Sequence, residues 1–187
     1  MKVLCSSLNQ NMVKIVTSLA LCLSFFSVSS HADSLSHYRL GVGDKIEINV
    51  FGESDLSKQF KINERGTINY PFLGEVSVKD LTLAEVEQAV VNGLKPDYLI
   101  NPSVSAAIVE YRPFFIEGQI KKSGAYSYQP GLTVAKAVVL AGGFTERASK
   151  DKIYIQRSSD PENKTELAML DSKVSPGDII TIKQSFF

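Results

Sequence analysis

The chain has 187 residues, 44% of them hydrophobic and 21% charged, ordinary values for a globular protein and enough length for one domain or two small ones. Twenty basic residues balance twenty acidic ones, so the charge points neither to nucleic acid nor to an anionic membrane surface as a partner. Both cysteines, Cys5 and Cys22, precede residue 33, and His37 is the only histidine after it; this excludes a disulfide, a thiol nucleophile and a His/Cys zinc site from the rest of the chain.

Residues 1–32 read as a signal peptide. Lys2 and Lys14 precede the uncharged run "IVTSLALCLSFFSV", and Ser30 and Ala32 stand at −3 and −1 of a cut between Ala32 and Asp33. The run is shorter than the roughly 20 apolar residues of a spanning helix. Met12 opens a more compact signal by itself and is the expected start. "LALC" resembles a lipobox, but Leu21 fills the place of the usual small residue, which favours cleavage after Ala32 over acylation of Cys22.

"KIEINVF" (45–51) alternates apolar and polar residues, as a half-buried strand does. "SKQFKI" and "GTINY" flank the polar turn "NERG" and predict a hairpin; "GEVSV" predicts another short strand. Thr82 and Glu85 form a T-x-x-E capping box, with Leu83, Val86, Ala89 and Val90 on one helical face and Asn92-Gly93 as the expected stop. "SVSAAIVEY" and "FFIEGQI" predict strands on either side of Arg112-Pro113, and "AYSYQ" a third, with Tyr126 and Tyr128 packing from one face. "PGLTVAKAVVLAGG" predicts a helix capped by Thr133 and closed by Gly142 or Gly143 in a left-handed cap, with Phe144 folding back on it. "KIYIQR" and "SPGDIITIKQ" predict the last strands, and the charged stretches "TERASKDK" and "SSDPEN" predict loops. The whole reads as an α+β protein of two small modules joined near Tyr111–Pro113. "GVGDKIEI" opens the first and "SPGDIITI" closes the second: in each, Gly supplies a positive φ and Asp bonds the backbone of its own turn.

Catalytic patterns are wanting. The sequence has no G-x-S-x-G, G-x-x-x-x-G-K-[ST] or G-x-G-x-x-G. A serine triad would have to use His37, close to the expected new N-terminus. Gly142-Gly143 follows a helix, and a helix C-terminus is the wrong pole for a phosphate. Glu53 with Asp55, and Asp160 with Glu162, are acidic pairs, but sequence spacing does not establish the facing geometry of a glycosidase.

Taken in order, "YRLGVGDKIEINVFGE", "INERGTINYPFLGEVSVKDLTLAEVEQAV" and "YLINPSVSAAIVEY" resemble the export domain of bacterial polysaccharide export proteins. "FFIEGQIKKSGAYSYQPGLTVAKAVVLAGGFTERASKDKIYIQR" with "VSPGDIITI" resembles the SLBB module that comes after it. The resemblance implies a mixed-sheet export domain with one main helix over 36–111 and a β-grasp-like SLBB domain over 112–187, closed by a strand at 178–183. Family motifs fall on Gly43, Asp44, Pro71, Leu73, Gly74, Asn101, Pro102, Gly118, Gly124, Tyr126, Ala141, Gly142, Gly143, Pro176, Gly177 and Asp178; Ser123 replaces a usual proline. It further implies a periplasmic conduit without catalytic residues, metal or cofactor, associated with the outer membrane. The implied partners are the polysaccharide, further copies of the chain in a ring, and an inner-membrane copolymerase. The chain ends at "KQSFF" without a spanning helix, so the expected route across the outer membrane is a separate β-barrel. Arg147, Lys150 and Lys152 are the cations expected to meet polymer or neighbour. A monomeric glycan sensor and, more remotely, a polysaccharide-processing enzyme are the competing readings.

Overall fold

A computed structural model describes residues 38–185. The expected leader, the Ala32–Asp33 cut, Cys22, Met12 and His37 lie outside the described residues. The fold is α+β and is built from two modules, each around its own core.

In the first module, β1 (Lys45–Val50) alternates as its sequence dictates, burying Ile46, Ile48 and Val50. It pairs antiparallel with β2 (Glu53–Lys61) on one side and β5 (Val104–Glu110) on the other. β3 (Thr67–Tyr70) and β4 (Gly74–Ser77) form a separate antiparallel ladder with Tyr70 opposite Gly74. The hairpin expected across "NERG" is therefore corrected: β2 and β3 belong to different sheets, and the hairpin lies one strand later, around Pro71–Leu73. "NERG" is instead held by Asn63, whose Oδ1 accepts from the Arg65 and Thr67 amides.

Helix α1 (Leu83–Leu94) starts at the expected capping box. Its Val86, Val90 and Leu94 complete a core with Leu40, Ile46, Ile48, Ile68 and Tyr70. Gly93 is not the stop. The helix runs one residue further, and a Cβ on Gly93 would come within 2.7 Å of Leu73 Cδ1, so the glycine makes room for the β3–β4 turn.

The second module holds a mixed sheet in the order β7-β6-β10-β8-β9. Its strands are β6 (Phe114–Gly118), β7 (Gly124–Tyr126), β8 (Ala148–Gln156), β9 (Thr165–Ala168) and β10 (Ile179–Gln184). Parallel pairing occurs between β6 and β10, whereas the ladders of the first module are antiparallel. Helix α2 (Val134–Leu140) lays Val134, Ala137 and Val138 on Phe114, Ile116, Ile153, Ile155, Ile180 and Ile182. β9 was not foreseen. "SKDK" is no loop either: it belongs to β8, which begins at Ala148.

The α2 terminus is as expected. The Gly142 amide donates to Val139 O at 3.0 Å and the Gly143 amide to Val138 O at 2.9 Å, with Gly142 at φ +83°. That bond pair is a Schellman cap, and Phe144 packs against the same core.

Candidate functional site

The two Gly-Asp turns are the most informative polar structures in the molecule. Asp44 and Asp178, 0% and 1% exposed, are its buried charged residues among those described. Each follows a positive-φ glycine, Gly43 at +95° and Gly177 at +85°, and each closes a turn through its own amide, 3.2 Å from Gly41 O and from Ser175 O respectively. Each carboxylate then accepts three kinds of donor. Asp44 accepts from the Gly41 amide (2.8 Å), the Arg112 amide (2.7 Å) and Arg112 Nη1 (3.2 Å). Asp178 accepts from the Ser175 amide (2.8 Å), the Ser158 amide (3.0 Å) and Arg157 Nη1 (3.1 Å). The turn role read from the sequence is present in both; what the sequence did not disclose is that each buried carboxylate has an arginine. The buried charge requires one, because an unpaired carboxylate in a dry site is costly.

Arg112 joins the two turns. Besides Asp44 it reaches the second turn, donating from Nε to Pro176 O at 3.2 Å and from Nη2 to Ser158 Oγ at 3.4 Å. Two glycines make room for it: a Cβ on Gly41 would overlap Arg112 Nη1 outright, and one on Gly177 would come within 2.8 Å of Nε. Tyr38 adds a further donor, its hydroxyl giving to Asp44 Oδ2 at 2.7 Å. Burial, then that bond to a carboxylate, pushes the Tyr38 hydroxyl far above its usual range, so it remains a proton donor. From Tyr38 a chain of edge-to-face rings runs to Tyr111 (5.1 Å) and on to Tyr128 (5.2 Å) in the second module. The modules thus meet through the Asp44–Arg112 ion pair, the Arg112 bonds to Pro176 and Ser158, and three rings.

Beside this joint lies a polar cleft of about 620 Å³, lined by Arg39, Lys79, Asp80, Arg112, Ser158 and Asp178 among others. Its arrangement offers donors rather than a reacting pair. Asp178 is saturated by the framework, and Arg39 donates to Asp80 O at 2.6 Å.

The remaining residues singled out by sequence are scattered. Gly118 touches β10 so closely that a Cβ would lie 2.1 Å from Ile182 O. Tyr126 stacks on Phe114 at 5.9 Å and gives its hydroxyl to Lys122 O, and Tyr128 packs on the same core, so both serve packing. Leu73 packs on the first core and Ala141 is buried in the second, while Asn101-Pro102 lies in the α1–β5 connection. Gly74, at φ +69°, ends the β3–β4 turn, and Gly124 opens β7. Arg147 is exposed just before β8; Lys150 and Lys152 are exposed on it, Lys152 in a shallow depression with Tyr154, Thr165, Lys183 and Gln184. Of the acidic pairs, Asp160 accepts from the Glu162 and Lys164 amides of its own loop, Glu162 pairs with Lys164, and Glu53 and Asp55 are exposed on β2. Among the described residues no His/Cys/Asp/Glu cluster could hold a metal, and no helix is long and apolar enough to cross a membrane.

Residues 32–109 match the family model of polysaccharide biosynthesis/export proteins, and residues 113–164 match the SLBB domain. Residues 110–112, ending in Arg112, separate the two matches. The chain is 31% identical over 173 residues to an exopolysaccharide production protein, ExoF, of Rhizobium meliloti, covering 82% of this chain and 40% of that protein. It is 24% identical to the polysialic acid transport protein KpsD of Escherichia coli, over 65% of this chain and 22% of the other. To the EPS I polysaccharide export outer membrane protein EpsA of Ralstonia nicotianae it is 22% identical, over 76% and 40%. The chain thus spans 40% or less of the length of these relatives.

Proposed function

The chain belongs to the bacterial polysaccharide export family, with an export domain followed by an SLBB domain, and on that premise we propose that it is a periplasmic component of a capsule or exopolysaccharide export machine. In this reading, identical copies form a ring beside the outer membrane. The ring receives polymer from an inner-membrane copolymerase and hands it to a separate outer-membrane β-barrel, cleaving nothing. The observation that carries the proposal is the succession of the two family domains with almost no residues between them.

The joint supports a ring. Heterologous contacts close into a ring only when every subunit imposes the same rotation. A subunit bending freely between its modules would leave that rotation undefined, whereas the Asp44–Arg112–Pro176 link fixes it. Arg147, Lys150 and Lys152 are the cations we assign to contact with an acidic polymer or a neighbouring copy. A conduit needs such contacts to be weak and repeated, since tight binding would stall transit.

Deleting the gene in the producing strain should abolish surface polymer and leave it trapped inside, with complementation restoring export. The purified protein, with membranes from that strain, should give rings by electron microscopy. Unchanged surface polymer in the deletion strain would refute a role in export, and monomers under every condition would refute the ring.

A further inference from the structure

The β3–β4 turn carries an anomaly that packing does not explain. Three non-glycine residues among those described have positive φ: Asp80, Asn163 and Phe72. Asp and Asn enter this region readily because their short polar side chains bond locally; a bulky aromatic does so only at a cost in strain. Phe72, at φ +64°, occupies a place in the turn where glycine would be relaxed, yet the residue is 65% exposed and is not part of the first core. It is nevertheless held firmly. Pro71 precedes it, Leu73 is wedged against Gly93 of α1, and Gly74 completes the turn at φ +69°. Tyr98, itself 49% exposed, lies beside it with ring centroids 5.0 Å apart and planes tilted by 33°, and its hydroxyl donates to Phe72 O at 3.4 Å. Strain maintained for an exposed side chain is the pattern of a functional position.

We propose that Phe72 and Tyr98 form a stacking platform for a sugar ring of the transported polymer; this rests on the export reading above. A pyranose has faces of C–H bonds and a rim of hydroxyls. The C–H face suits the negative face of an aromatic ring, and the hydroxyls stay in water. Two half-covered rings give an area fit for a sugar residue or two, well short of the roughly 800 Å² per partner of a stable protein contact. Stacking on a fixed pair is also weak and tolerant of sequence, as a polymer in transit requires. The ligand class is therefore a pyranose of the exported chain, held by its face and not by charge.

The test uses the whole protein with short oligosaccharides cut from the polymer isolated from the producing strain. Saturation-transfer NMR should mark the sugar ring protons. Phe72→Gly removes the ring and relaxes the backbone, so its melting temperature should equal or exceed that of wild type while binding weakens about fivefold. Tyr98→Ala should weaken binding similarly, and Phe72→Trp should keep it. Wild-type protein that binds none of these oligosaccharides, or Phe72→Gly and Tyr98→Ala variants that bind them as wild type does, would overturn the platform. So would variants with normal binding but altered sedimentation, which would make the pair a contact between copies. Failure of the export reading is seen separately, as unchanged surface polymer in the deletion strain; a strain that needs the gene but tolerates both variants refutes the platform alone.

Discussion

Arg112→Ala tests the joint directly. The substitution leaves the buried Asp44 carboxylate without its guanidinium, and removing one partner of a buried pair typically costs about 3–5 kcal/mol. Asp44 keeps the Gly41 and Arg112 amides and the Tyr38 hydroxyl as donors, so the low end, about 3 kcal/mol, applies. The bond from Nε to Pro176 O adds about 1 kcal/mol. A loss of about 4 kcal/mol is a large share of a stability of about 5–15 kcal/mol. Urea unfolding should be followed by far-UV circular dichroism, which reports both modules, and by the near-UV signal of the clustered tyrosines at the joint. In wild type the two curves should coincide. In Arg112→Ala the tyrosine signal should be lost first, because the modules separate before either core melts. Arg112→Lys keeps a charge but not the fork that serves Asp44 and Pro176 together, so it should fall between. A loss below about 1 kcal/mol, the value of an exposed pair, with curves still coincident, would refute the lock.

The glycines offer a graded comparison. Gly118→Ala combines a positive φ with a Cβ 2.1 Å from Ile182 O, and should cost about 3 kcal/mol or more by denaturation, loosening the β6–β10 pair. Gly142→Ala meets only the Lys121 side chain, at 3.5 Å or more, and should cost about 1 kcal/mol; equal losses at the two sites would contradict the close approach. Glu85 gives a pH signature. Bonds from the Thr82 amide and then its hydroxyl hold the carboxyl below its ordinary value of 4.5. A lowered folded value means that Glu85 stabilises above the unfolded carboxyl's range and loses that contribution as pH falls from 4.5 through the folded value. Melting curves of wild type and Glu85→Ala should converge over that window, and a gap unchanged across it would show the capping bond to be idle.

Local chemistry was legible in the sequence and long-range pairing was not. The Thr82–Glu85 box, the Thr133 cap and the Gly142-Gly143 stop are written within a few residues, and each is present. "NERG" suggested a hairpin because turn composition says where a chain bends and nothing of which strands then pair. Asn92-Gly93 imitates a helix stop, but the need for glycine comes from Leu73, twenty residues earlier in the chain. Arg112 passed as a separator beside Pro113 because its partners lie 68 and 64 residues away. Once the two Gly-Asp carboxylates are known to be buried, two cations are implied, and Arg112 lies between β5 and β6 while Arg157 follows β8. Phe72 gave no signal, since backbone strain is invisible in composition.

The placing of Arg112 has a consequence for a shortened chain. In chain order the first sheet is complete at β5, and Arg112 comes two residues later to neutralise Asp44. Its other anchor, Pro176 O, lies 64 residues further along the chain. A chain clipped before Pro176 would thus keep the partner of Asp44 and lose the Arg112 bond to the second turn. In the ring proposed above, such a chain would lack the fixed angle between modules that each subunit must supply, so the second turn would act as a test that the SLBB module is complete.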